Sequence, residues 1–232
     1  MVPMIDKSSD KILTMNTKTL NAVLSILSRE YKNWKTPIVT DIAEKTKQPF
    51  KVLISTMLSL RTKDQVTADA SQRLFQYADT PESMQNLSVS KIEKLIYPVG
   101  FYKTKAINIL SVCDILINTY NGQVPDDLEL LLALPGVGRK TANLVMTRGF
   151  NKKGICVDTH VHRIINRLGY IHTKTPEETE QLLRKKLPEQ WWIPINDILV
   201  AFGQNLCTPI SPWCSRCPIN KECNKVGVIK SR

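Results

Sequence analysis

Four cysteines crowd the end of the chain. Cys207, Cys214, Cys217 and Cys223 follow one another with six, two and five residues between them. Four thiolates at that density suit a tetrahedral zinc ion or an iron-sulfur cluster. The same segment holds Pro209, Pro212 and Pro218 and has no apolar periodicity, so burial of an apolar face cannot explain its order. A metal centre can. Zinc ribbons pair two Cys-x2-Cys knuckles, whereas this tail has one. Cys113 continues the apolar face of Ile107 and Leu110, and Cys156 lies in a short apolar run; both read as buried core thiols.

A second group of residues could act on a substrate. Leu134-Pro135-Gly136-Val137-Gly138 joins two helical stretches, and its two glycines leave backbone amides uncovered where the second helix begins. Orphan amides and the helix dipole both favour an anion there, such as a phosphate. Lys140 follows in the first turn. To act as a nucleophile its amine must lose a proton, which from an ordinary pKa near 10.4 costs roughly 4 to 5 kcal/mol at pH 7. Burial and the positive end of a helix both reduce that cost. Asp158 can take the proton. It also stands where an N-cap belongs, before the stripe Val161, Ile164, Ile165 and Leu168. Capping does not exclude chemistry.

The partner of such groups is suggested by charge. Lysine and arginine number 32 against 21 acidic residues, a net +11 that points to a polyanion, either nucleic acid or an anionic membrane surface. No run of eighteen apolar residues is present to span a bilayer, and 42% apolar with 23% charged residues argues against disorder. The first twenty residues contain neither an apolar h-region nor an arginine, so no targeting segment is expected and the protein should work in a reducing, intracellular compartment. Six cysteines there are ligands or core residues rather than disulfides.

Helices must position these groups. Residues 1–16 are polar and unpatterned and read as a loose arm, after which Leu20, Val23, Leu24, Leu27 and Tyr31 form one helical stripe. Similar stripes start at Asp41, run over Pro49 to Leu60 and Asp64 to Tyr77, and start again at Ser90, where Ser90 and Glu93 suggest a capping box. Thr104 to Tyr120, closed by Asn121-Gly122, and Asp126 to Ala133 lead into the hairpin. A last helix begins at Thr175, with Pro176 at its first position and Glu178 at its third. Ile155 to Val157 is the one strand-like fragment in that region. The fold is expected to be all-α.

The residues Leu134 to Ala142 (Leu-Pro-Gly-Val-Gly-Arg-Lys-Thr-Ala), Val157-Asp158-Thr159-His160-Val161 and the four-cysteine tail together resemble the endonuclease III family of helix-hairpin-helix DNA glycosylases. The likeness runs from about residue 20 to 225. It implies two helical lobes with a DNA cleft between them: a six-helix barrel over 42–152 that carries the hairpin, and a cluster lobe made of 17–41 with 153–232. It implies a [4Fe-4S] cluster on Cys207, Cys214, Cys217 and Cys223. It also implies a monomer, DNA-associated in cytoplasm or nucleoid, that removes oxidised pyrimidines from duplex DNA and acts on abasic sites. Lys140 would attack C1′ and form a Schiff base leading to β-elimination, with Asp158 as its base. Gly136, Val137, Gly138, Ser59, Arg61 and His160 would contact DNA. The family's Ser-x-Gln-x-x-Asp stands here as Ser59-Leu-Arg-Thr-Lys-Asp64, so Arg61 replaces a glutamine that fills the gap left by a flipped base. A guanidinium offers only donors, which match O6 and N7 of an opposite guanine better than adenine. The loop Thr208 to Trp213 lacks the basic residues some relatives aim at phosphate. Two other readings compete, a monofunctional glycosylase, which would not need Lys140, and a DNA-binding module without catalysis.

Overall fold

The computed structural model describes residues 14–232, and the regular structure among them is helical, with no strand. The first helix, α1 (Thr17–Glu30), buries Leu20, Val23, Leu24 and Leu27, the stripe read from the sequence. Its N-cap is Asn16, whose side-chain oxygen accepts from the Thr19 amide at 2.8 Å. Met15 is buried and its amide donates to the Gly169 carbonyl at 2.9 Å, so the arm expected over 1–16 ends before Met15. Residues 1–13 lie outside the described residues.

Eight helices then follow: α2 (Ile38–Thr46), α3 (Pro49–Ser59), α4 (Asp64–Tyr77), α5 (Pro81–Gln85), α6 (Val89–Ile96), α7 (Tyr102–Tyr120), α8 (Leu128–Leu132) and α9 (Arg139–Leu144), which continues into a π-helical turn, Val145–Gly149. They share one apolar core drawn from Val39 to Cys156. At its centre α3 is buried from Val52 to Leu58 without a break, as expected of a helix with no polar face. Its Ser55 and Thr56 hydroxyls are satisfied by the Lys51 and Val52 carbonyls at 2.6 Å each. The edge expected at residue 42 falls inside α2, whose Val39 and Ala43 already belong to this core. The helix expected from Ser90 starts a residue earlier and is capped by Ser88, which accepts from Lys91; no Ser90–Glu93 capping box forms. The short α5 was not foreseen.

The second core joins α1 to α10 (Thr159–Leu168), α11 (Pro176–Lys186) and α12 (Ile195–Asn205), with Ile219 from the tail. Asp158 and Thr175 cap α10 and α11 as expected, accepting from Val161 and Glu178 amides at 3.0 and 3.2 Å. The strand-like fragment is irregular: Ile155 and Val157 enter the second core while Cys156 enters the first. Its period-2 alternation therefore serves to stitch two cores rather than to pair in a sheet. Polar ties reinforce this seam. Arg148 pairs with buried Asp197, which also accepts from Thr40 at 2.7 Å. Glu180 takes a bidentate pair from Arg139 at 3.0 and 2.8 Å and a third bond from Arg184 at 3.0 Å. Among the described residues no helix is long and apolar enough to cross a membrane.

Candidate active site

A cleft of about 1050 Å³ opens along the seam, lined from the first core by Ser59, Arg61, Asp64, Gly136 and Lys140 and from the other side by Asp158 and His160. Two helix N-termini therefore face one space. Lys140 sits in the first turn of α9, half-buried, and among the described residues no hydrogen bond or ion pair engages its ammonium. Arg139, its neighbour, is anchored on Glu180, which holds the start of α9 against α11. Burial raises the Glu180 carboxyl, but its bonds to Arg139 and Arg184 outweigh that and hold it below the ordinary value.

Asp158 divides its carboxylate. Oδ1 accepts from the amides of His160 (2.8 Å) and Val161 (3.0 Å), while no partner among the described residues takes Oδ2. His160 lies against α12, where Gly203 leaves room: a Cβ there would stand 2.4 Å from His160 Nδ1. Arg163 Nη2 approaches that Nδ1 at 3.1 Å. A guanidinium can only donate, so Nδ1 accepts and the proton resides on Nε2. Burial pulls the imidazole below its ordinary pKa, opposed by the nearby Asp158 charge and aided by Arg163 and Lys140, which fits the neutral ring. Arg163 also donates to the Cys207 carbonyl at 2.8 Å, linking this end of the cleft to the cysteine tail.

The remaining expected contacts divide. Gly136, at φ +76, and Gly138 have amides that nothing accepts from among the described residues. Val137 differs: its side chain is buried and its amide donates to Leu134 at 3.1 Å, so it shapes the hairpin and offers no donor to a ligand. Ser59 lines the cleft but spends its hydroxyl on the Thr56 carbonyl at 2.8 Å. Arg61 is exposed, at φ +53, with its guanidinium 5.4 Å from the Phe101 ring centre. Phe101 was missed by the sequence reading. It lines the cleft, is 62% exposed and has φ +58, an arrangement that no local pattern announces. Lys105, buried in the cleft wall, was also missed, although it continues the stripe Ile109, Val112, Cys113 and Leu116 backwards by one turn.

Cys207, Cys214, Cys217 and Cys223 line one small pocket together with Ile164, Phe202, Leu206 and Ile219. None is in a disulfide. Among the described residues, no three Cys, His, Asp or Glu side chains converge closely enough to hold a single metal ion. Four thiols with apolar side chains around them are a donor set that a multi-iron cluster fits. Arg167 donates to Cys207 Sγ at 3.4 Å and to the Thr208 and Pro209 carbonyls at 2.7 and 2.6 Å.

The comparisons with known proteins agree with this geometry. Residues 54–189 match the model of the HhH-GPD superfamily of base excision DNA repair proteins. An endonuclease III of Thermotoga maritima is 50% identical over 179 residues, covering 77% of this chain and 84% of that protein. The chain belongs to the endonuclease III family. The chloroplastic endonuclease III homolog 2 of Arabidopsis thaliana is 48% identical over 75% of this chain, which spans about half of that protein's length (47%). Among solved structures, a trapped covalent intermediate of an endonuclease III with DNA superposes with a TM-score of 0.82 at 32% identity, covering 91% of this chain and 97% of the other. As a family member this protein is a DNA glycosylase of base excision repair with abasic-site lyase activity.

Proposed function

We propose that the cleft removes oxidised pyrimidines from duplex DNA and cuts the strand at the abasic site left behind, with Lys140 as nucleophile and Asp158 as its base. One observation carries this reading: an ammonium and a carboxylate oxygen that have no partner among the described residues line the same cleft, each held at a helix N-terminus. A target nucleotide must leave the stack to enter such a pocket. Having passed a proton to Asp158, Lys140 Nζ attacks C1′ of the deoxyribose, and the bond from C1′ to the base breaks as the base departs. The C1′–O4′ bond then opens with a proton going to O4′, the amine nitrogen and C1′ form an imine, and loss of a C2′ proton expels the 3′ phosphate by β-elimination. Once that proton has passed on to the departing base, the Asp158 carboxylate is charged again and stabilises the positive charge that develops on the sugar.

Around this pair, the free amides of Gly136 and Gly138 would hold a backbone phosphate. His160 would donate from Nε2 towards the strand near the abasic site. Arg61 and Phe101, on the rim, would enter the duplex, with Phe101 stacking on a base and Arg61 favouring guanine as the orphaned partner. Cys207, Cys214, Cys217 and Cys223 would hold a [4Fe-4S] cluster, which when bound supplies four iron-sulfur bonds to a segment with no apolar stripe of its own. Both catalytic groups lie on one chain, so one copy can carry the reaction, and the protein would act as a monomer on duplex DNA inside the cell.

Because an imine needs a primary amine, borohydride should trap the wild type covalently on duplex containing an oxidised thymine. Lys140→Ala should abolish trapping while retaining specific binding. Equal trapping by the alanine variant would remove Lys140 from the mechanism.

A further inference from the structure

Lys105 is 7% exposed, yet no carboxylate pairs with it among the described residues. Its ammonium reaches from the first turn of α7 to the end of α3, donating to the Leu58 carbonyl at 2.8 Å and the Leu60 carbonyl at 2.6 Å, with the Thr62 hydroxyl at 3.4 Å. The last carbonyls of a helix lack intrahelical donors and carry partial negative charge. A residue distant in sequence thus caps α3, where no glycine is present to do it locally. The capped segment leads directly into Arg61.

The turn before α7 is fastened to the same segment. The Gly100 amide donates to Thr62 Oγ1 at 3.1 Å, and Thr62 Oγ1 donates to the Leu60 carbonyl at 3.2 Å. A Cβ on Gly100 would stand 2.6 Å from the Arg61 carbonyl, so the two backbones touch. Arg61 and Phe101 both hold left-handed φ values, +53 and +58, which residues with side chains adopt only when their surroundings insist. Lys105 lines the cleft and its bonds reach the loop from there, and it stands four residues after Phe101.

We propose that Lys105 is a positioning residue that fixes Arg61 and Phe101 as one rigid pair on the cleft rim, and so governs entry into damaged duplex and discrimination of the opposite base, without touching the reacting atoms. This rests on reading the rim as the part that enters the duplex. The ammonium supplies three donors to three acceptors at one point. Methionine has similar length and supplies none, whereas arginine keeps the donors.

Single-turnover trapping tests this on duplexes with an oxidised thymine opposite guanine or adenine and on an abasic site in single-stranded DNA. Lys105→Met should raise the duplex concentration for half-maximal rate about tenfold and flatten the guanine-to-adenine ratio, while the saturating rate on the single-stranded abasic site stays within twofold. Lys105→Arg should restore the ratio. Thr62→Val, which removes the hydroxyl link to Gly100, should reproduce part of the effect and serves if Lys105→Met does not fold. An unchanged ratio in both Lys105→Met and Thr62→Val, or a saturating abasic-site rate that falls as far as the duplex rate, overturns the proposal. Arg61→Ala separates the two readings. If Arg61→Ala flattens the ratio and Lys105→Met does not, only the role of Lys105 fails; if Arg61→Ala also leaves the ratio unchanged, the rim reading fails and Lys105 with it.

Discussion

Asp158 assigns its two carboxylate oxygens to two tasks, and substitution can separate them. Asp158→Asn keeps a side-chain oxygen for the amides of His160 and Val161, so the loss of stability should be about 1 kcal/mol or less. The charge and the free oxygen are lost, and the single-turnover rate on damaged duplex should fall steeply. A large drop in melting temperature with the rate intact would return Asp158 to a purely structural cap. Lys105 offers a pH signature at the same scale. Burial lowers its ammonium from 10.5 to about 8 in the folded protein. Between those values the unfolded chain holds a proton that the folded one has released, so this group makes stability rise with pH from about 8 to 10.5. Below pH 8 the cost of burying the charge is present in full. Urea titrations at pH 7.5 and 9.5 should show a more favourable change for the wild type than for Lys105→Met, and parallel changes would show that Lys105 keeps its ordinary affinity for a proton.

Helix α12 reaches α10 because Gly203 has no side chain. An alanine Cβ there would stand 2.4 Å from His160 Nδ1 and 2.9 Å from Arg163 Nη2, closer than real contacts allow. Gly203→Ala should therefore push the imidazole away from α12, costing about 1 to 3 kcal/mol of stability as overpacking does. Lesion processing should fall further than that loss of folded protein explains, which rates normalised to folded protein would show; normal rates would mean that the ring position does not matter. Elements with a cap signal or a stripe were legible in the sequence, α3 after Pro49 among them, whereas α5 and α12 were not. Asp158 and Thr175 announce α10 and α11 through cap chemistry, and Leu20 to Leu27 announce α1 through a stripe. Helix α12 is buried continuously from Ile195 to Gly203 and shows no contrast between faces. Five-residue α5 is a single capped turn, too short for any period to emerge.

Across the whole molecule, the two cores are held in register by charge as well as by the stitched segment 155–157. Asp197 is buried, which raises its carboxyl, while Arg148 and the Thr40 hydroxyl act to lower it. Removing one partner leaves the other charge buried and unpaired, a loss of about 3 to 5 kcal/mol in comparable cases. Asp197→Ala should cost that much in chemical denaturation, and replacing Arg148 by methionine in the same chain should recover most of it. A single-variant loss below 1 kcal/mol would show that the pair does not hold the lobes together. The orientation of the cleft walls depends on this seam, since Arg139, which precedes Lys140, is tied to Glu180 across it.

The chain itself was enough to determine the all-α class, the hairpin before Lys140, the cap at Asp158, the grouping of the four cysteines and the family they point to. All of these are signals between near neighbours, in which residue type and spacing of a few positions set the geometry. The resemblance already paired Lys140 with Asp158, but tertiary structure alone decided that the hairpin leaves its glycine amides open and not that of Val137, and that Phe101 stands beside Arg61. It also decided that Lys105 caps a helix ending at Ser59 and that Glu180 anchors Arg139. Those bonds join residues 47 and 41 positions apart. Contacts at such separations form only after loops have closed and two cores have packed, so no local pattern of hydrophobicity or charge can record which residues will meet.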